Sequence, residues 1–276
     1  MGLLDGQYAS MTTGRSMDFD DLRSYVPGDD VKDIDWKSSA RAGELLIKSY
    51  RAERRHTLAF VVPSGGSLAS AATLTHSKID VVLATIGVLA WVACHQGDYV
   101  TVIAPGKDGP SVARPSYRDT QIEHMLAGLD AGCRLETPDP DLVELLDLTA
   151  SGLRRRCIVV VVLDDWDPRP ADVDALASLC ARHEVLAIEV SDLDLTDPAL
   201  ATVPTRDQAT GQPVPGFVAR DRQVREQAVA AQQERARRRG RTLDRLGIIH
   251  ESVADVDDSV AAIVRLLERM RHASRH

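Results

Sequence analysis

The chain has 276 residues, and its 33 basic and 41 acidic side chains give a net charge of −8. With 44% hydrophobic and 27% charged residues, it has the balance of a globular protein of one or two domains with a sizeable core, which excludes wholesale disorder and a fibrous fold. The acidic total argues against a general nucleic-acid binder, which needs a basic surface.

Residues 1–10 carry neither a basic segment nor a long apolar run, so no signal peptide is expected. Residues 1–56 are densely charged, with little periodicity before Glu44–Tyr50. They are expected to form an N-terminal segment packing on a body of residues 57–276. Thr57–Val62 is a continuous apolar run ending at Pro63-Ser64-Gly65-Gly66, which predicts a buried strand and a turn. Ser77–Gln96 predicts a long helix, with Ser77 as N-cap and Gly97 as its stop. Its most apolar part, Val81–Cys94, is short for a membrane span and reads as a buried helix. Asp98–Ala104 predicts a strand, and the Pro- and Gly-rich Pro105–Ser116 a loop.

Helices are expected over Asp119–Ala131 and Asp141–Leu153. Cys157–Leu163 is the clearest strand, because a β-branched run with no polar residue must be covered on both faces. Asp172–His183 predicts a helix, Val185–Val190 a strand, Gly247–His250 a last short strand and Asp257–Met270 a last helix. An inserted region of about residues 203–245 interrupts the alternation. It ends in a helix, Ala219–Arg245, that is polar nearly all round, with nine basic and four acidic residues. The four cysteines have apolar neighbours and no zinc-like spacing, so they read as reduced core residues in a reducing compartment.

Alternating elements of this kind imply an α/β fold, an open and mostly parallel sheet with helices on both faces. Its binding edge would be the loops after Val62, Ala104, Leu163 and Val190.

The informative stretch is Met17–Arg41. Pro27-Gly28 forces a turn, and Asp29 and Asp30 are placed to cap a helix-like turn immediately after it. Trp36 reads as an anchor onto the body. Arg23 and Arg41 are able to bridge carboxylates among Asp29, Asp30, Asp33 and Asp35. The aspartate spacing misses a calcium loop, and the spacing of Asp35, Glu44 and Lys48 does not suit a nuclease core.

The run containing Phe19, Leu22, Arg23, Tyr25, Pro27, Gly28, Asp29, Asp30, Ile34, Asp35, Trp36, Ser39, Ala40 and Arg41 resembles the signature of the bacterial domain of unknown function 58. Glu53-Arg54 and Arg206-Asp207-x-x-Thr210-Gly211 also fit it. The resemblance implies a von Willebrand factor A-like domain and a MoxR-type AAA+ ATPase as partner. Such domains often hold a metal-ion-dependent adhesion site, with D-x-S-x-S after the first strand. Here that position reads Pro63-Ser64-Gly65-Gly66-Ser67, so Pro63 stands where an aspartate is needed and only Ser67 keeps its oxygen. Asp165 takes the place of the later aspartate, and Thr137 is a candidate loop threonine. The metal loop therefore reads as degenerate, and no metal or other cofactor is expected. The loop also imitates a phosphate cradle, but it has no lysine and no helix is expected to start there at once.

Neither a G-x-S-x-G nor a P-loop is present. The expected function is a non-enzymatic protein–protein interaction module, an adaptor to the ATPase in chaperone-like maturation or assembly. It is expected to be cytoplasmic, with any membrane association made through a partner. The alternative is a divalent-metal-dependent ligand-binding domain or hydrolase using Asp165 and the N-terminal aspartates.

Overall fold

The computed structural model describes residues 21–25, 34–49, 56–107, 109–164 and 166–273. Its centre is a six-stranded sheet in the order β10-β7-β6-β3-β4-β5. These strands are β3 (Thr57–Val61), β4 (Tyr99–Gly106), β5 (Gly109–Val112), β6 (Ile158–Leu163), β7 (Glu184–Val190) and β10 (Ile249–Val253). All neighbours are parallel except β4 and β5. Counted along the chain, this is the 3-2-1-4-5-6 order of a doubly wound, Rossmann-type sheet. The expected architecture, a mostly parallel sheet with helices on both faces, is what the chain adopts.

The strands are apolar throughout because both faces are covered. Leu58, Phe60 and Val62, with Ile158, Val160 and Val162, face one core. The helices over it are α3 (Lys78–His95), α4 (Asp119–Gly132) and α9 (Ser259–Ala273). Ala59 and Val61, with Val159, Val161 and Leu163, face the other core, under α5 (Leu142–Gly152) and α6 (Pro170–Arg182). Each large side chain buried this way contributes about 1.5–3 kcal/mol. Helix α3 is long and apolar enough to cross a membrane, but over half of it is buried inside the fold. It opens with a capping box between Ser77 and Asp80, and Gly97 follows it with φ 81°.

Several expectations need correction. Pro105–Ser116 is not a plain loop: β4 runs to Gly106 and turns into the antiparallel edge strand β5. A one-turn helix, α2 (Gly66–Ala69), begins inside the stretch read as a turn, with four residues between it and the end of β3. The last strand lies at Ile249–Val253, because Gly247 (φ 70°) ends the preceding helix. The polar helix is two pieces, α7 (Phe217–Arg220) and α8 (Arg222–Arg245), split where Asp221 caps the second through the amides of Gln223 and Val224. The last helix begins at Ser259, after a 3-10 turn at Val256–Asp258. Only Cys133 and Cys157 are fully buried, while Cys94 and Cys180 are half-covered. Burial still pushes the Cys94 and Cys133 thiols up to about 11.

Near the N-terminus, β1 (Asp21–Ser24) and β2 (Leu46–Ser49) form a separate antiparallel pair. Between them lies α1 (Trp36–Ala42), which ends at Gly43 with φ 75°. Its cap is Asp35, whose Oδ1 accepts from the amides of Lys37 (3.1 Å) and Ser38 (3.0 Å). Ser39 closes the unit by accepting from the Leu46 amide at 2.8 Å. Trp36 is 62% exposed, so it does not anchor this segment. The buried positions are Ile34 and Ser39, and a seven-residue helix has no broader face to cover an indole.

Candidate functional site

The strand order reverses between β3 and β6, so the switch-point crevice lies beyond their carboxyl ends. A cleft of about 510 Å³ opens there. It is lined by the loop after β3 (Pro63, Ser67), the segment before α5 (Asp139, Asp141) and the loop after β6 (Asp164, Trp166, Asp167, Arg169).

The loop after β3 is held by backbone contact. The Gly66 amide donates to the Thr137 carbonyl at 2.8 Å, and the Ser67 amide to Asp139 Oδ1 at 2.8 Å. Both glycines are needed for this approach. A Cβ on Gly65 would lie 2.9 Å from the Asp139 Cα, and one on Gly66 would lie 2.7 Å from the Leu135 carbonyl oxygen. Gly65, where a ligand serine is expected, is thus a packing position. Arg206-Asp207-x-x-Thr210-Gly211 forms the turn between β8 (Thr205–Arg206) and β9 (Pro213–Val214). Asp207 is kept below the usual carboxylate range by the Thr210 hydroxyl and amide. The turn carries Gln208 to the Leu135 carbonyl, beside Gly66, so this second part of the signature borders the crevice.

A charge group centred on one buried lysine borders the cleft. Ser67 Oγ donates to Asp164 Oδ2. The Lys78 ammonium lies 3.5 Å from the same oxygen and also meets Asp192 Oδ1. The Lys78 side chain is 3% exposed. Across the cleft, Arg169 pairs with Asp172 and, at 2.8 Å, with Asp141. Burial works to raise the Asp172 pKa, but Arg169, its amide and the Trp166 indole outweigh it and hold the carboxyl below its ordinary range.

Of the residues singled out in the sequence, Pro63, Ser64 and Ser67 lie in the loop after β3, with Ser64 buried. Asp165 lies outside the described residues, and the aspartate that reaches Ser67 is its neighbour Asp164. Thr137 contributes its carbonyl, not its hydroxyl, to the loop. Pro27, Gly28, Asp29 and Asp30 also lie outside the described residues. Arg23 is placed by its backbone in β1, and Tyr25 continues that strand by donating its amide to the Leu45 carbonyl at 2.8 Å. Asp35, Trp36 and the exposed Arg41 belong to the capped helix α1. Lys78, Asp139, Asp164, Asp192 and Arg169 were missed in the sequence. The available signal was Lys78, a cation in the first turn of an apolar helix, where the dipole disfavours it.

The described residues do not fit the divalent ion that the resemblance implies. Pro63 has no carboxylate, Asp164 already faces an ammonium, and Asp139 spends an oxygen on a backbone amide. Among the described residues, no group of three or more His, Cys, Asp or Glu is placed to hold a metal.

The family model described as "Protein of unknown function DUF58" matches residues 21–239. The chain belongs to the DUF58 family. Relatives of this DUF58 chain include Uncharacterized protein Rv1480 of Mycobacterium tuberculosis and Uncharacterized protein Mb1516 of Mycobacterium bovis. Each is 29% identical over 223 residues, 76% of this chain and 66% of the relative, so the match spans just under two thirds of their length. Among solved structures, it is similar to a von Willebrand factor type A protein from Catenulispora acidiphila (12% identity, 83% of this chain, 43% of that one, TM-score 0.42). It is also similar to the pilus adhesin SpaC from Lactobacillus rhamnosus GG (11%, 81%, 31%, 0.49). A third is an aerotolerance-related membrane protein from Bacteroides fragilis (13%, 78%, 99%, 0.45).

Proposed function

We propose that this DUF58 chain is a non-enzymatic interaction module that presents the carboxyl edge of its sheet to a MoxR-type AAA+ ATPase. In this reading it is an adaptor in chaperone-like maturation or assembly, and the ATPase supplies the energy. It works in the cytoplasm, and any membrane attachment comes through a partner.

The observation that carries the reading is a pair of exposed leucines on one groove beside the crevice. Leu74 is 57% exposed and Leu135 58% exposed. Both line a cleft of about 570 Å³ with Ser70, Thr73, Arg206 and Gln208. Exposed apolar side chains rimmed by polar ones are the composition of a protein-binding surface. The groove contains the Arg206–Gly211 part of the family signature, which links the family pattern to this edge. The identity of the partner rests on the family resemblance.

The test is a pull-down of the ATPase on the full chain, with and without ATP, comparing wild type with Leu74→Asp/Leu135→Asp. A complex in at least one nucleotide state is expected, weakened at least about tenfold in the variant, with the melting temperature unchanged. No complex in either state overturns the reading.

A further inference from the structure

Lys78 is the first residue of α3, and almost none of its side chain reaches solvent. A lysine is doubly unfavourable there. Burial strips its ammonium of water, and the positive end of a helix repels it. Its compensation comes from two loops. Asp164 follows β6 and Asp192 follows β7, and the ammonium faces both. The oxygen of Asp164 nearest Lys78 also accepts from Ser67, in the loop after β3. One buried positive charge therefore ties together the loops after β3, β6 and β7.

That is the work a divalent ion performs in a metal-dependent domain of this architecture. Such an ion draws in a carboxylate and hydroxyls and fixes the loops that carry them. Of the donors expected for it, two are missing from this chain and a third is engaged. Pro63 supplies no carboxylate and Gly65 no hydroxyl, and the Ser67 hydroxyl is spent on Asp164. We propose that the Lys78 ammonium is the resident cation of this edge, and that the edge is assembled without a divalent ion. A bound ion is removed by chelation, whereas a lysine is retained, so the edge holds its shape at any magnesium concentration. This holds whichever partner docks there.

Thermal unfolding of the purified full chain tests it. The wild type is expected to melt at one temperature in millimolar Mg²⁺, millimolar Mn²⁺ or EDTA. A rise with either metal, or a fall with EDTA, overturns the proposal. Lys78→Met keeps the stem but leaves Asp164 and Asp192 facing each other without a counter-charge. Its melting temperature is expected to fall by roughly 6–15 °C, and an unchanged value overturns the proposal. The variant Lys78→Met/Asp164→Asn/Asp192→Asn removes all three charges and is expected to recover at least half of that loss. If Lys78→Met does not fold, this triple variant decides. A folded triple variant supports the charge role, and an unfolded or unrecovered one overturns it, because the stem's packing then matters more than its charge.

Discussion

At the scale of single residues, the crevice depends on atoms that are absent as much as on those present. Gly66 has backbone oxygens of Leu135 and Thr137 within 2.8 Å of where a Cβ would sit. Gly66→Ala is expected to cost about 1–3 kcal/mol, since backbone must move to admit the methyl group. Chemical denaturation measures it, and a neutral result would show that the loop yields freely. Asp172 has its pKa lowered on folding, so it stabilises the fold above its unfolded value and loses that contribution as pH falls through the folded one. Asp172→Asn should therefore cost about 1–3 kcal/mol at neutral pH, and the gap to wild type should shrink below about pH 4. A gap that persists undiminished at pH 3 would assign the cost to packing. This is also where the sequence was least legible. Asp164 and Asp165 are adjacent and chemically alike, and only the register at the end of β6 brings Asp164 to Ser67. Nor could Lys78 be paired in advance, because its partners lie 86 and 114 positions away.

At the scale of elements, the parallel strands could be read because a segment buried on both faces has one composition, continuous and β-branched. The β4–β5 hairpin was missed because Pro105 and Gly106 look like loop. The dipeptide Asp108-Gly109 was the signal for it. Helix α1 is also obscured in the sequence, since Asp29 and Asp30 offer equivalent cap chemistry nearer the Pro27-Gly28 turn, while the cap is Asp35. Asp35→Ala is expected to cost about 1 kcal/mol, read as faster amide exchange confined to residues 36–42; unchanged exchange would mean that the Ser39–Leu46 contacts hold the helix alone.

A second element-scale contact joins β7, β10 and α8. His250 lies 3.0 Å from Glu189, and Arg239 meets the other Glu189 oxygen at 3.0 Å, with Asp244 and Arg269 nearby. The hydrogen bond to Glu189 raises the His250 pKa against burial and Arg269. Its contribution is complete below the ordinary histidine value, about 6.5, and is lost as pH rises through the folded one. The stability gap between wild type and His250→Ala should accordingly be larger at about pH 5.5 than at about pH 8.5. A gap independent of pH would remove the charge from the account.

At the scale of the whole molecule, the net charge conceals a division. Residues 219–245 carry nine basic and four acidic side chains, a net +5, so the remainder of the chain carries −13. Helix α8 holds most of that positive charge, yet only Thr242 and Leu243 of it are buried. Limited digestion with trypsin should therefore cut first between Arg222 and Arg238 when residues 57–273 are compared, because few apolar contacts oppose local opening there. First cuts within the strands or within α3 would mean that the helix is better supported than its burial suggests.

The attachment of α8 has a mechanical consequence. Arg239 and its partners hold the helix near its C-terminal end, and seventeen residues precede that point, about 25 Å of rod at 1.5 Å per residue. A load applied near Arg222 reaches the Arg239–Glu189–His250 junction along the helix, and Glu189 is the next-to-last residue of an interior strand. Force on the Arg222 end of this helix is passed to the crevice-bearing edge of the sheet, and the junction's grip sets how much is transmitted before it slips.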